Sequence, residues 1–489
     1  MGGGKIFVGR NIKKVLIIIF VVTFFLEFKF QDLPISPIYG YWHNVDQYIE
    51  LPMSYHLSGE GIFERDFVVS EFSKLYPTIL FSILGNFYSI TNNMFFNYII
   101  ILLFLKAIYV FFSYKLSKLL LKKEYLAIVA TIFLSFSHFM GPDEVGVIEI
   151  VPKAVVFAFI PMLLYLFLKD EKKYCVPVFV FLGLLTYIHS TSVVPIALIL
   201  FFSLLVLKKD YKNFLLCLAT FSIIFLPYFW SNFIERSSPD YSDFTYIAQW
   251  YLLPNAARTV AKYFIVFLLG LWTIKRYNKE VFYLCLILIL YSSITLFSPW
   301  SDTIRILAFF RAMKFVLFFS FIFLPILISD VYKNNKLLSV LILLILFIPF
   351  SSIYYSNLFV GLTAPKSLYL QETHNVIGLG NWLQNNTPKD VLIMVPPDWS
   401  SIRVWSLRSI VISDVDAHVS SWSKEISAPI RQRFNDVKIV YNNSSVSGII
   451  NISSKYKVDY IVTYNISLGV PEVYSIGSFK IYNISRLSI

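Results

Sequence analysis

Long apolar runs separated by small basic clusters dominate the chain up to about residue 360. A run of about 20 apolar residues is long enough to cross the hydrocarbon core of a bilayer as a helix. Because Lys and Arg concentrate on the cytoplasmic side, the chain must cross out and back between successive basic clusters. The pattern predicts about eleven spans, near residues 15–30, 94–114, 125–140, 153–168, 174–189, 193–207, 213–230, 259–274, 281–298, 306–329 and 337–356.

The basic residues Lys5, Arg10, Lys13 and Lys14 place the N-terminus in the cytoplasm, and an odd number of spans then places the C-terminus outside the cell. The apolar stretch from Leu75 to Ile90 does not fit this alternation, because a span there would move the next basic cluster to the outer face. We interpret it as a helix that lies on the outer leaflet. The external loops are then 31–93, 141–152, 231–258 and 299–305.

After Tyr355 the apolar runs stop, and the remaining residues have the composition of a water-soluble domain. The stretch NVIGLGNWLQNNTP predicts a helix that ends before Pro388, and DVLIMVPP predicts a buried strand. Further strands are predicted at RSIVISD, VDYIVTY and FKIYNI, with a helix at VSGIINISSKY. The sequence therefore predicts an α-helical polytopic transmembrane domain over 1–360 and a small extracytoplasmic α/β domain over 361–489.

The composition agrees with an integral, multi-pass cell membrane protein. Of the 489 residues, 57% are hydrophobic and only 15% are charged, and the mean hydropathy is +0.66. The formal net charge of +12 would suit a nucleic-acid partner, but the cations fall between apolar runs and form no basic patch on a soluble module. The composition therefore indicates the lipid bilayer as a partner and argues against nucleic acid.

Carboxylates crowd two of the predicted external loops. The candidate site residues there are Asp46 in NVDQY, Asp66 in ERDF, and Asp143, Glu144 and Glu149 in GPDEVGVIEIVPK. Carboxylates at a membrane surface can act as a general base toward an acceptor hydroxyl, or can hold a divalent Mg or Mn ion that neutralises a phosphate. For each residue, simple solvation on a wet loop is the alternative. We interpret the other acidic residues of the first loop, Glu50, Glu60, Glu64 and Glu71, as solvated charge.

Cations at the outer ends of spans are candidates for binding a phosphate. Arg311 lies deep in the span that begins near 306, where an unpaired cation is costly. Guanidinium groups bind phosphate bidentately and stay charged at any pH. We group Lys153, Arg305 and Arg311 as candidate phosphate ligands, with an ion pair to an external carboxylate as the alternative.

Three further residues are possible members of a site. His189, in LTYIHSTS, lies at the outer end of its predicted span, where a lone histidine is often a packing residue. Arg403 and Arg408, in IRVWSLRS, are interpreted as surface charge, with a reach back toward the membrane site as the alternative. No Gly-rich phosphate loop, His/Cys metal motif or Gly-x-Ser-x-Gly elbow appears, so nucleotide-driven transport and serine hydrolysis have no local support.

The order of these motifs resembles the GT-C superfamily of membrane glycosyltransferases. Asp46 in NVDQYIELP is similar in placement to the first-loop base of that superfamily, and KLYPTILFSILGNF resembles the interfacial helix before its second span. Asp143 and Glu144 in GPDE resemble its second-loop acid. Gln47 stands where several families carry a carboxylate, and no Trp-Trp-Asp signature is present, which is a departure from oligosaccharyltransferases.

The segment GNWLQNNTPKDVLIMVPPDWSSIRVWSLRSIVISD resembles the start of external domains in GT-C proteins. It is more similar to a polytopic family of unassigned function, in which the NTPKD, PP and RS elements occur together with EIVPK and YIHS. That resemblance covers nearly the whole chain through short motifs.

The resemblance implies an enzyme that transfers a sugar from a polyprenyl-phosphate donor to a glycan, lipid or protein acceptor. Asp46 would be the base, with Asp66 as its substitute, and Arg305 and Arg311 would neutralise the departing phosphate. We expect Asp46, Asp143 or Glu144, and Arg305 to face one cavity. Two alternatives stay open: a GT-C-like transporter or handler of lipid-linked glycans, and an assembly protein that binds a partner through its C-terminal domain.

Overall fold

The computed structural model describes residues 3–27, 47–76, 78–136, 150–234, 263–294, 309–340, 366–416 and 424–484. Its α-helices are α1 Gly3–Glu27, α2 Gln47–His56, α3 Phe67–Leu75, α4 Leu80–Thr91, α5 Met94–Leu121, α6 Glu124–Ser135, α7 Pro152–Lys169, α8 Glu171–Phe202, α9 Tyr211–Phe229, α10 263–277, α11 Lys279–Ser293, α12 Met313–Asn334, α13 Lys366–Asn386, α14 Ser401–Ser406, α15 Lys424–Asn442 and α16 Val446–Lys455. The strands are β1 Leu392–Met394, β2 Ser409–Ile410, β3 Tyr460–Tyr464, β4 Tyr474–Ile476 and β5 Phe479–Asn483. Wider helical turns at Ser203–Leu207 and Trp230–Ile234 extend α8 and α9, Phe309–Ala312 is a tighter turn before α12, and 336–340 is also helical.

The chain divides into two compact units. The membrane unit consists of the described residues within Met1–Phe28, Tyr98–Arg236 and Ala248–Val360. The sheet unit consists of the described residues within Lys29–Asn97, Ser237–Ile247 and Gly361–Ile489. The predicted boundary at residue 360 separated the first external loop from the C-terminal domain, whereas the described part of that loop belongs to the sheet unit.

Five helices in the described part of the chain are long and apolar enough to cross a membrane. They are Met94–Leu121, Pro152–Lys169, Glu171–Leu207, Tyr211–Asn232 and Met313–Asn334. The chain is therefore a membrane protein with several spans, and the count of about eleven stays a prediction.

The long helix Glu171–Leu207 is a hairpin. Its backbone leaves helical geometry at His189, with φ −158° and ψ 89°. The rings of Phe179 and Phe201 stack with centroids 4.3 Å apart, although a straight helix would separate these residues by about 33 Å. Lys208 Nζ lies 2.7 Å from Glu171 Oε2, so the two ends also meet. Each arm is about 27 Å long, close to the thickness of the hydrocarbon core, and the arms agree with the separate spans predicted at 174–189 and 193–207.

Short polar residues begin the helices at the turns of the membrane unit. Asp170 accepts a hydrogen bond from the backbone N–H of Lys173, and Asp210 accepts one from Asn213. Asn278 caps α11 in the same way through Val281. A side-chain oxygen at this position satisfies an N–H group that the helix cannot, which is why these turns need few residues.

Three helix ends in the membrane unit lie together. α7 runs from Pro152 to Lys169 and is followed directly by the hairpin, so its first turn lies at the end where the hairpin folds back. Phe157 of α7 stacks on Phe315 of α12 with centroids 4.9 Å apart. The starts of α7 and α12 and the turn of the hairpin therefore occupy one end of the unit.

The sheet unit contains five strands in the order β2-β1-β3-β5-β4. β1 pairs in parallel with β2 and β3, and β5 is antiparallel to β3 and β4. Gly477, with φ +57°, allows the two-residue turn between β4 and β5. The hydrophobic core joins α13 and α14 to the sheet through Val376, Leu379, Leu383, Ile393, Val395, Ile402, Ile410, Val462, Phe479 and Ile481. The predicted strands and helices of this domain are found, and β4, α14 and α15 are additional.

The first-loop helices pack closely within the sheet unit. A Cβ on Gly85 of α4 would stand 2.6 Å from the carbonyl oxygen of Ser54, so α2 and α4 touch backbone to backbone. α4 has 12 residues and a length of about 18 Å, which is too short to cross a bilayer. This agrees with an apolar helix near 75–90 that does not span, although the helix begins later than predicted.

Gly380→Ala is expected to destabilise the sheet unit, whereas Gly378→Ala on the same helix is not. A Cβ at Gly380 would meet Trp405 Cβ at 2.4 Å and its carbonyl carbon at 2.9 Å, while one at Gly378 meets only the movable Ile476 Cδ1 at 2.7 Å. Alanine is favoured over glycine in a helix by about 1 kcal/mol, so only the clash makes the difference. Thermal unfolding of the detergent-solubilised protein, followed by tryptophan fluorescence, checks this. Equal melting temperatures for the two variants would contradict the close α13–α14 contact.

Candidate functional site

A polar cluster forms in the membrane unit where the hairpin folds back. Because His189 is not helical, the second arm begins a new helix whose first N–H groups have no partner within it. The start of a helix carries a partial positive charge and attracts anions. The sequence STS, residues 190–192, supplies three hydroxyl groups at this point.

Arg311 contacts the start of the second arm directly. Its Nη1 lies 3.1 Å from His189 Nε2 and donates to Thr191 Oγ1, also at 3.1 Å. His189 Nδ1 lies 2.8 Å from Ser192 Oγ. A guanidinium can only donate, so Nε2 must accept, and the ring proton then sits on Nδ1 and is donated to Ser192. The geometry therefore requires a neutral His189 with one defined tautomer.

Two lysines bring further positive charge to this cluster. Lys153, in the first turn of α7, and Lys314, in the first turn of α12, lie close enough to His189 to act on it electrostatically, as does Arg311. Lys314 is only 8% exposed. Cations at membrane depth usually face a cavity or an anionic partner. Of the predicted phosphate ligands, the structure thus brings Lys153 and Arg311 together, beside Lys314 and beside His189, which was predicted as a possible member of a site. Thr191 joins them through its contact with Arg311.

Five of the predicted site residues lie outside the described residues. They are Asp46, Asp143, Glu144, Glu149 and Arg305. Their expected convergence on one cavity stays a prediction. Within the described residues, no group of three or more His, Cys, Asp or Glu side chains could hold a metal ion. Asp143 and Glu144, on which a Mg or Mn site was predicted, lie outside the described residues, so that site stays a prediction.

Asp66 lies in a buried ion cluster of the sheet unit. The side chains of Asp66, Arg403 and Asp416 are all 0% exposed. Arg403 Nε donates to Asp66 at 2.9 Å, and Nη1 and Nη2 donate to Asp416 at 2.7 Å. Burial acts to lower the pKa of Arg403, but Asp416 and Asp66 outweigh it, so this pKa stands above its usual range. Arg403 therefore stays charged, and its interpretation as surface charge is wrong.

Hydrogen bonds from within the sheet unit occupy both carboxylate oxygens of Asp66. It caps α3 by accepting from the backbone N–H of Val69 at 3.1 Å, and it accepts from the N–H of Ile410 in β2, also at 3.1 Å. With the two bonds from Arg403, four donors surround it. A general base must reach the hydroxyl that it deprotonates, and a carboxylate in this position does not. The role of substitute base does not fit Asp66.

The residues on either side of Asp66 also anchor the first loop to the C-terminal part of the sheet unit. Arg65 pairs with Asp459 and donates to the carbonyl oxygen of Lys457. The guanidinium of Arg433 lies over the ring of Phe67, 4.6 Å from its centroid. Three consecutive residues therefore bind three different places, which we call the loop anchor, Arg65–Phe67.

Arg408 has a structural role as well. It is 4% exposed and donates five hydrogen bonds, one for each of its N–H groups. The acceptors are the carbonyl oxygens of Gln384, Thr387, Ser406 and Leu407 and the hydroxyl of Thr387. It thereby closes the C-terminal ends of α13 and α14, where carbonyls lack helical partners. The interpretation as surface charge is wrong here too.

Glu50 differs from the other acidic residues of the first loop. It lies in α2 and is 7% exposed, with the Tyr76 hydroxyl 3.5 Å from its Oε1. Its interpretation as solvated charge is therefore corrected. The flanking residues Ile49, Leu51 and Met53 are apolar and buried, and this pattern was the available signal.

Comparisons with known proteins found one family model that matches a short segment and solved structures with low sequence identity. Residues 374–414 match the family described as a domain of unknown function, DUF6798. No curated protein matches the sequence. The chain is similar to the crystal structure of an Archaeoglobus fulgidus oligosaccharyltransferase tethered to an acceptor peptide with the NVT sequon, with 11% identity, a TM-score of 0.47, and coverage of 92% of this chain and 69% of that one.

A second similar structure is the oligosaccharyltransferase AglB from the same organism, in complex with an inhibitory peptide and a dolichol-phosphate. Here the identity is 12% and the TM-score 0.47, again over 92% of this chain and 69% of that one. Both structures belong to the GT-C superfamily that the sequence resembles. Their TM-scores lie below 0.5, so the activity of this chain has to be argued from its own residues.

Asp66→Asn is expected to destabilise the sheet unit strongly. Removing one partner of a buried ion pair typically costs about 3–5 kcal/mol, because the remaining charge is left without compensation. Glu64→Gln is the matched control, since the Glu64 side chain is 53% exposed in the same loop. Thermal unfolding and limited proteolysis of the full-length protein measure the effect. Similar melting temperatures for the two variants would show that the Asp66–Arg403 pair contributes little.

Proposed function

We propose that the chain is a GT-C-type glycosyltransferase that takes a sugar from a polyprenyl-phosphate donor at the outer membrane face. The acceptor is a hydroxyl of a glycan, lipid or protein. The observation that carries the proposal is the cluster of Arg311, Lys153 and Lys314 around the start of the second hairpin arm. The sequence resemblance to GT-C proteins supports the same class of reaction.

The cluster has the properties that a phosphate ester requires. Both hydrogen bonds that Arg311 makes to described residues use Nη1, so its Nε and Nη2 edge has no partner among them. That edge is one that binds two oxygens of a phosphate at once. The N–H groups at the start of the second arm add donors suited to an anion. A lipid phosphate brings its charge to membrane depth, where cations from the starts of α7 and α12 can meet it.

The reaction transfers the sugar from the phosphate to the acceptor. The acceptor oxygen forms a bond to the anomeric carbon, the bond from that carbon to the phosphate oxygen breaks, and the electron pair leaves with the phosphate. The acceptor proton passes to a carboxylate base. Positive charge fixed beside the leaving phosphate stabilises the charge that develops there, and such preorganised electrostatic stabilisation is commonly the largest contribution to catalysis.

Asp46 is the proposed base, and Arg305 is a further proposed phosphate ligand. Asp143 and Glu144 are proposed as second-loop acids that could hold a divalent cation, which would add positive charge at the phosphate. Asp66, Arg403 and Arg408 have no part in the proposal, because their hydrogen bonds within the sheet unit account for them.

Arg311→Ala is expected to weaken binding of a polyprenyl phosphate by at least about tenfold, because a charge-assisted hydrogen bond contributes about 1.5–3 kcal/mol. Arg276→Ala is the control. Arg276 lies beside Tyr277, which bonds Asp330 near the opposite end of α12. Fluorescently labelled polyprenyl monophosphate, titrated against the protein in nanodiscs, gives the affinities. An unchanged affinity in Arg311→Ala would remove the main support for the proposed function.

Asp46→Asn is expected to slow sugar transfer strongly while leaving donor binding intact. General-base catalysis typically contributes about 10²–10⁴-fold to the rate, and an amide cannot accept the proton. The measurement is transfer from radiolabelled polyprenyl-phosphate sugars to candidate acceptors by the reconstituted protein. Transfer at the wild-type rate by Asp46→Asn would exclude Asp46 as the base. Donor binding without transfer by the wild-type protein, over a full set of donors and acceptors, would favour a transporter or glycan handler.

A further inference from the structure

We propose that His189 is a positioning residue, which orients Arg311 so that the Nε and Nη2 edge of the guanidinium faces the donor phosphate. The inference rests on the proposed function, because it assigns a role within the same phosphate site. It concerns a residue for which packing at a helix end was the simple interpretation from the sequence.

The hydrogen bonds around the His189 ring have a defined direction. Ser192 Oγ accepts from His189 Nδ1 at 2.8 Å, and His189 Nε2 accepts from Arg311 Nη1 at 3.1 Å. The hydrogen bond between Arg311 and His189 cannot run in the opposite direction, because a guanidinium has no acceptor atom. The hydrogen bond to the far nitrogen fixes which tautomer is present, as in metal sites where a second partner orients a histidine.

Two acceptors also fix the plane of the Arg311 guanidinium. His189 Nε2 and Thr191 Oγ1 both hold Nη1, and they lie 3.4 Å from each other. Two acceptors on one nitrogen use its two hydrogens and fix the rotation of the planar group. The opposite edge, Nε with Nη2, then points away from His189. A flexible arginine is thereby held in one orientation before the ligand arrives, which lowers the entropy that binding must overcome.

The backbone at the hairpin turn brings His189 and Ser192 together. His189 occupies the position before the first helical residue of the second arm, and Ser192 is three residues later. In this spacing the side chains of the two residues lie on one side of the helix start. The fold-back of the hairpin thus places the acceptor for Arg311 and the residue that fixes its tautomer together.

The test compares four substitutions at three positions, using the labelled polyprenyl monophosphate in nanodiscs. His189→Leu removes the acceptor and should weaken binding about tenfold or more. His189→Gln offers an amide oxygen to Arg311 and an amide N–H to Ser192, and it should bind within about threefold of wild type. Ser192→Ala removes the acceptor that fixes the His189 tautomer, and it should give an intermediate loss of affinity. Ser190→Ala should bind as wild type, because the Ser190 hydroxyl bonds Tyr228 and not His189.

Coupling to Arg311 separates positioning from packing. If His189 acts through Arg311, His189→Leu should change affinity little in a chain that already carries Arg311→Ala. Thermal unfolding of each variant is recorded in parallel. Equal losses of affinity for His189→Leu in both backgrounds, or a loss in His189→Gln as large as in His189→Leu, would overturn the positioning role.

The failure of this inference differs from the failure of the proposed function. Wild-type binding by His189→Leu together with weak binding by Arg311→Ala would overturn the positioning role alone, and the phosphate site would stand. Wild-type binding by Arg311→Ala would overturn both.

Discussion

A charge taken out of water must be matched by an opposite charge or by hydrogen bonds, and this requirement organises both units of the chain. In the sheet unit, two carboxylates surround Arg403 with no exposure to solvent. In the membrane unit, Arg311 binds a neutral histidine and a hydroxyl at the fold-back of a helical hairpin. In the sheet unit, the guanidinium and the two carboxylates are paired with each other. The membrane unit leaves one edge of a guanidinium without a partner among the described residues, which is why we place the ligand there.

Local patterns in the sequence predicted the regular elements well. The alternation of apolar runs and basic clusters separated 174–189 from 193–207, and the structure shows these as the two arms of the hairpin. The strands and helices of the C-terminal domain followed from composition and from Pro388. These predictions depend on residues within one or two turns of each other, where periodicity and capping carry the information.

The roles of charged residues were harder to predict, because their partners lie far away in sequence. Asp66 and Arg403 are 337 residues apart, and nothing near either one announces the other. A signal for Asp66 did exist: an acidic residue directly before FVVSEF has the position of a helix cap. For Arg408, the available signal was the predicted helix end before Pro388. An arginine can donate hydrogen bonds to the carbonyls that a helix end leaves without partners. The grouping of Lys153 with Arg311 came from their common place at the starts of spans.

The loop anchor shows that the C-terminal domain is not formed by C-terminal residues alone. Arg65, Asp66 and Phe67 bind Asp459, Arg403 and Arg433, so the domain includes a segment from the beginning of the chain. Asp66 also covers the outer N–H of Ile410 on the edge strand β2, which would otherwise be open to other strands. A partner-binding role for the C-terminal domain on its own is less consistent with this construction than a role for the whole chain.

The hairpin reverses direction at a single non-helical residue, and this leaves it no tolerance for changes in length. One residue inserted beside His189 would rotate the whole second arm by about 100° and shift it by about 1.5 Å. Phe201 would then lose Phe179, Lys208 would lose Glu171, and Thr191 would turn away from Arg311 in the same step. Over evolutionary time, insertions and deletions should therefore accumulate in the loops of this protein, while the number of residues from Glu171 to Lys208 stays constant.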